Sequence, residues 1–102
     1  MAIAAVSIAP VGSGTSVSRY VAEALRVVRS QEQVGYRLDP MFTTLEGDLG
    51  QILALIQAME EAVFALGAER VGTVIKIDDR RDRDVSMGHK VDVVEKLLDT
   101  NS

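Results

Sequence analysis

Cysteine is absent from this chain of 102 residues. That removes disulfide scaffolds, thiol catalysis, zinc–cysteine sites and iron–sulfur clusters together, and gives no sign of an oxidising compartment. Histidine occurs once, at His89, so a histidine-based metal triad cannot be built within one chain. Tryptophan is missing and the aromatic set is two Tyr and two Phe, too few for a base-stacking platform. Cations are in deficit, with 11 Lys and Arg against 15 Asp and Glu. The resulting charge of −4 disfavours a surface that neutralises phosphates, and nucleic acid is not an expected partner. No long apolar run is present. The start, Met1 to Val6, is apolar but lacks a basic flank and is interrupted by Pro10 and Gly12, so neither a signal peptide nor a membrane span is expected. The cytoplasm is the default location, with no membrane partner.

What is there is one domain's worth of core. With 47% hydrophobic and 25% charged residues, the whole chain, 1–102, reads as a single globular domain that needs neither disulfide nor metal to fold.

Residues 3–9 are apolar and rich in β-branched types, with Ala4, Val6 and Ile8 on one face and Ile3, Ala5 and Ser7 on the other, and this predicts a central strand. A dense turn follows from Pro10 to Thr15. Thr15 or Ser16 is placed to cap a helix ending near Ser30, whose stripe is Val17, Tyr20, Val21, Ala24, Leu25 and Val28. Gly35 opens a short extended segment through Asp39, and Pro40 marks an edge or bulge before a hairpin partner at 41–46. Asp48 is placed to cap a second helix, with Gln51 in the capping-box position and Gly67 as its left-handed stop. Its expected stripe is Leu49, Ile52, Leu53, Ile56, Met59 and Val63. Residues 70–78 alternate as a strand, with Val71, Thr73, Ile75 and Ile77 on one face. The stretch 78–84, four Asp and three Arg, reads as a solvated loop laced with ion pairs. A last helix from about Ser86 carries Met87, Val91, Val94 and Leu98 on one side.

This order predicts an α+β, ferredoxin-like βαββαβ sandwich with an extra C-terminal helix. Right-handed crossovers put both main helices on one face of the sheet and leave the other open. An open apolar face predicts oligomerisation through the sheet, or cover by a neighbouring chain's C-terminal helix.

Candidates for chemistry are few. The Gly12-Ser13-Gly14 turn lacks the residues of a P-loop or dinucleotide fingerprint, which leaves a helix cap or one wall of a small-molecule pocket. Glu46 and Asp78 end their strands and are expected near one edge of the sheet. No nucleophile, oxyanion hole or metal accompanies them, so recognition of a cation or amine is the functional reading and pairing with a surface Arg or Lys the ordinary one. Tyr20 and Phe64 fall on helical positions suited to the core, whereas Tyr36 and Phe42 flank the hairpin and can stack on a flat ligand. His89 reads as a surface residue.

Taken together, Pro10-x-Gly12 with Ser16-x-Ser18-x-Tyr20-Val21-Ala22, Tyr36-x-Leu38-x-Pro40-Met41-x-Thr43-x-x-Glu46-Gly47, Arg70-Val71 and Lys76-Ile77-Asp78-Asp79-Arg80 resemble the thiamine-binding protein family. The resemblance runs from Val6 to Val94. It implies a ferredoxin-like fold assembled into homodimers and homotetramers, which binds thiamine or its hydroxymethylpyrimidine moiety without catalysis and requires no cofactor. By position it implicates Ser7, Pro10, Thr43, Glu46, Lys76 and Asp78. Phe42 stands where Gly is expected in the family, which narrows the pocket or adds a stacking ring. The pocket lies within one chain or between chains.

Strand geometry constrains the same motif. Thr43 and Glu46 are an odd number of residues apart and point to opposite faces of a regular strand. Either a bulge reorients one of them, or Thr43 lies under the helices while Glu46 serves the site with Thr44 as its companion.

Overall fold

The computed structural model describes residues 1–100. Along them run β1 (Ala2–Pro10), α1 (Ser18–Arg29), β2 (Gly35–Leu38), β3 (Thr43–Gly47), α2 (Leu49–Ala65), β4 (Val71–Asp79) and α3 (Met87–Thr100). The four strands form one sheet in the order β2-β3-β1-β4, with every neighbouring pair antiparallel. This is the α+β, ferredoxin-like arrangement with an added C-terminal helix.

Side-chain parity along β1 divides the two faces. Ala2, Ala4, Val6 and Ile8 are buried under the helices, with Tyr20, Ala24, Leu25 and Val28 of α1 and Ile52, Leu55, Ile56, Met59 and Val63 of α2. Ile3, Ala5, Ser7 and Ala9 face the other way and are half-buried. Because register partners share a face, Thr44 and Glu46 of β3 and Val74, Lys76 and Asp78 of β4 join them on the open side.

The caps behave differently in the two main helices. Asp48 accepts the Gln51 amide at 3.0 Å, and Gly67, at φ +102°, follows α2 in a conformation that L side chains rarely adopt. Neither Thr15 nor Ser16 caps α1. The helix begins two residues past Ser16, Val17 occupies the cap position, and no side chain bonds the first turn.

The stripe of α2 also shifts. Leu55 is buried where Leu53 was expected, and Leu53 is 44% exposed. Leu53 keeps helical spacing with Leu49 and Ile56 and Leu55 with Ile52 and Met59, and packing on the sheet decides which flank is covered. Phe64 likewise lies outside the core, 39% exposed, whereas Tyr20 lies inside it.

The charged stretch is the expected ion-paired loop, with Arg81 beside Asp79 at 3.1 Å and Arg80 beside Asp82. Arg80 holds the Asp82 carboxyl at about 2, below the usual carboxylate range, by direct hydrogen bonding. None of α3's residues is buried, and Val91, Val94 and Leu98 are all exposed. No helix among the described residues is long and apolar enough to cross a membrane.

Candidate functional site

Two separate places collect the residues singled out by sequence. The first is a cavity of about 110 Å³ where the β2–β3 turn leaves the sheet. The turn, residues 38–43, forms one wall and closes on itself through the Asp39 amide, which donates to the Phe42 carbonyl at 3.0 Å. Val21, Ala24 and Leu25 of α1 and Met59 of α2 form the roof, and Val6, Ser7 and Ile8 of β1 form the floor. A closed cavity of about 150 Å³ takes up benzene, so this smaller space, open at its mouth, holds part of a ring with the rest of a ligand outside.

Ser7, Phe42 and Thr43 therefore meet at one cavity. Thr43 is 5% exposed and borders the cavity, where its hydroxyl can meet whatever fills it. No buried side-chain polar atom among the described residues lacks a hydrogen-bond partner. Tyr36 and Pro10 do not line this cavity. Tyr36 lies on the edge strand opposite Leu45, and Pro10 is buried at the far end of β1 opposite Val71.

The second place is the open face of the sheet. The parity expectation for the hairpin strand holds without a bulge: Thr43 is register partner to Val6 and lies under the helices, while Thr44 and Glu46 pair with Ala5 and Ile3 on the opposite face. Ile3 is also the register partner of Asp78, so the two carboxylates flank it, about 10 Å apart at their Cα atoms given the strand spacing.

Both carboxylates are engaged by α3. Glu46 Oε2 accepts the Met87 amide at 2.8 Å, and Asp78 bonds the Lys90 ammonium. The first contact satisfies one of the helix's orphan amides and sets a negative charge against its N-terminus. Ser86 supplies the cap by accepting the His89 amide on its hydroxyl at 3.1 Å. Lys90, first through its hydrogen bond and then through its charge, holds the Asp78 carboxyl below its ordinary value, and Arg80 and Lys76 act in the same direction. Gly35 leaves the room Glu46 needs, since a Cβ there would stand 3.1 Å from Glu46 Cγ and 3.2 Å from Oε1.

Sequence reasoning missed both the engagement of Glu46 by a main-chain amide 41 residues away and the part of Lys90. Ser86 three residues before His89 was the one local signal of a helix start there. The cavity residues Leu38, Asp39 and Met41 carried no signal beyond Pro40 between them.

A family model described as thiamine-binding protein matches residues 4–95. The chain belongs to the thiamine-binding protein family. Its relatives include a UPF0045 protein from the glkA 3′ region of Staphylococcus xylosus, 46% identical over 96% of this chain and 95% of that one. YqgV of Bacillus subtilis, also a UPF0045 protein, is 45% identical over 96% and 98%. Among solved structures, MJ1052 of Methanocaldococcus jannaschii superposes with a TM-score of 0.84 at 34% identity, covering 92% of this chain and 95% of that one. TM0486 of Thermotoga maritima, a protein with a proposed role in thiamine biosynthesis or salvage, superposes at 0.76 over 91% and 97%. At 17% identity that likeness concerns the fold alone.

Proposed function

We propose that this member of the thiamine-binding protein family is a non-catalytic, cytoplasmic binder of thiamine or a related aminopyrimidine such as hydroxymethylpyrimidine. The observation that carries the reading is the cavity of about 110 Å³ bordered by Phe42 and the nearly buried Thr43, within a chain whose family is named for this ligand. The pyrimidine enters the cavity beside Ser7, Phe42 and Thr43, and the cationic part of thiamine lies outside in the field of a chain with net charge −4. Pro10 and Tyr36 do not line the cavity and take no part in this form of the reading. Thr44, Glu46 and Asp78 lie on the opposite face, where Glu46 and Asp78 hold α3.

The unit is a homo-oligomer, dimer or tetramer, assembled through the sheet. Ile3, Ala5, Ala9 and Val74 on the open face, and Val91, Val94 and Leu98 on α3, support this because monomers rarely leave so much apolar surface uncovered. The same surfaces favour a second reading, an oligomerisation module of structural or regulatory role without a small ligand.

Calorimetric titration with thiamine and with hydroxymethylpyrimidine, together with thermal unfolding, separates the two. Ligand at 100 times its dissociation constant adds about 2.7 kcal/mol to the native state. Absence of heat and of a thermal shift with both compounds favours the module. Light scattering at micromolar concentration tests the oligomer, which a monomer mass would contradict.

A further inference from the structure

The ladder between β1 and β3 ends at the pair Val6 and Thr43, whereas the ladder between β1 and β4 continues to Pro10 and Val71. From Ser7 onward β1 therefore has a strand on one side only. In an antiparallel sheet the N–H and C=O of a residue point to the same neighbour, and successive residues alternate between neighbours. The Val11 amide donates to the Arg70 carbonyl at 2.7 Å, on the β4 side. Counting back by twos, Ala9 and Ser7 also turn to β4, and Ile8 turns the other way. Pro10 falls on the same unpartnered side, where its missing N–H costs nothing.

Ile8 thus presents an N–H and a C=O to the space that β3 has vacated, and that space is the cavity. The turn does not satisfy them, since no main-chain bond joins it to Ile8. Ile8 is only 7% exposed. Buried main-chain groups are almost always paired, so an unpaired donor and acceptor at a cavity wall call for a bound partner.

We infer that the main chain of Ile8 is the recognition element of this cavity, and that it selects a ring edge carrying an acceptor nitrogen beside an N–H donor, as the amidine edge of a 4-aminopyrimidine does. The proposal rests on the aminopyrimidine reading above and deepens it by naming the atoms that choose the ligand. The Ile8 N–H donates to the ring nitrogen, the Ile8 carbonyl accepts from the exocyclic amine, and the Thr43 hydroxyl supplies a further polar contact. Neither main-chain group is charged, and a 4-oxo ring presents donor and acceptor reversed, so it meets the pair only when turned over, an orientation that the walls of the cavity and Thr43 disfavour.

Amide-resolved NMR on the wild-type full chain tests this in two steps. Without ligand, the Ile8 amide exchanges at least about tenfold faster than those of Val6 and Ala9, which are bonded within ladders. Equal protection at Ile8 overturns the unpaired edge whatever the ligand. On saturation with hydroxymethylpyrimidine, the Ile8 amide moves downfield and its exchange slows about tenfold, while the 4-oxo counterpart binds about tenfold more weakly. Binding that leaves Ile8 unmoved, or equal affinity for the two rings, overturns the proposal and leaves the binding function standing. Failure of both rings to bind overturns the proposal and the binding function together.

Discussion

Glu46 and Asp78 stand on opposite sides of Ile3 on the open face of the sheet, and each holds a different atom of α3. Glu46 takes the first amide of the helix and Asp78 the ammonium of Lys90, one turn further on. Since none of α3's residues is buried, these two contacts and the Ser86 cap fix where the helix leaves the domain. The direction of α3 thereby depends on two carboxylates that also look, in sequence, like ligand groups.

Replacing Glu46 by Ala removes a charge-assisted acceptor from the α3 N-terminus. We expect local opening of α3 to become easier by about 1 kcal/mol, with little change in the sheet. Amide exchange of residues 87–90 compared with β1 checks it, and unchanged protection would remove Glu46 from the anchor.

Gly35→Ala is expected to act through the same carboxylate. The added Cβ crowds Glu46 Cγ at 3.1 Å and pushes the side chain from its place. Exchange at residues 87–90 should rise as in Glu46→Ala, and the double variant should add little to either single one. Full additivity would show that Gly35 matters only to its own strand.

Acid should loosen α3 for a stated reason. The Asp78 carboxyl is held below its ordinary value by Lys90, so its folded value is depressed relative to the unfolded chain. The stabilisation from this pair is complete above the ordinary carboxylate range of about 4 and is lost as pH falls through the lower folded value. A probe on α3, attached at a cysteine introduced at Leu98, should report release on acidification. In Lys90→Ala, the pH dependence assigned to this pair should disappear.

Thr43→Val exchanges the hydroxyl that borders the cavity for a methyl of similar size. Ligand-free stability should change by no more than about 1 kcal/mol, whereas affinity for hydroxymethylpyrimidine should fall about tenfold. Thermal unfolding without ligand and calorimetry with it read the two halves separately. A large loss of ligand-free stability would mean that the hydroxyl is bonded in the native state.

Asp48→Ala should destabilise the domain by about 1 kcal/mol through loss of the bond to the Gln51 amide. Thr15→Ala and Ser16→Ala, by contrast, should be close to neutral, because Val17 occupies the cap of α1. Denaturant unfolding of the three variants measures both expectations.

The amino-acid sequence by itself determined the order of the elements, the faces of β1 and β3, the Asp48 cap, the Gly67 stop and the ion-paired loop. All of these depend on residues a few positions apart, where helical or strand periodicity and backbone preference act directly. The odd spacing of Thr43 and Glu46 sends them to opposite faces of a regular strand, and the structure excluded the bulge that would have reoriented one of them. Local pattern was not enough to choose Leu55 over Leu53, since both satisfy the helical period and only the packing of α2 on the sheet separates them. The length of each ladder was likewise not legible, and with it the cavity floored by Val6, Ser7 and Ile8. Nor was the bond between Glu46 and the Met87 amide. Register, cavity and anchor depend on which strands close on which, a contest among distant segments settled by chain closure and burial, and only the tertiary structure decided them.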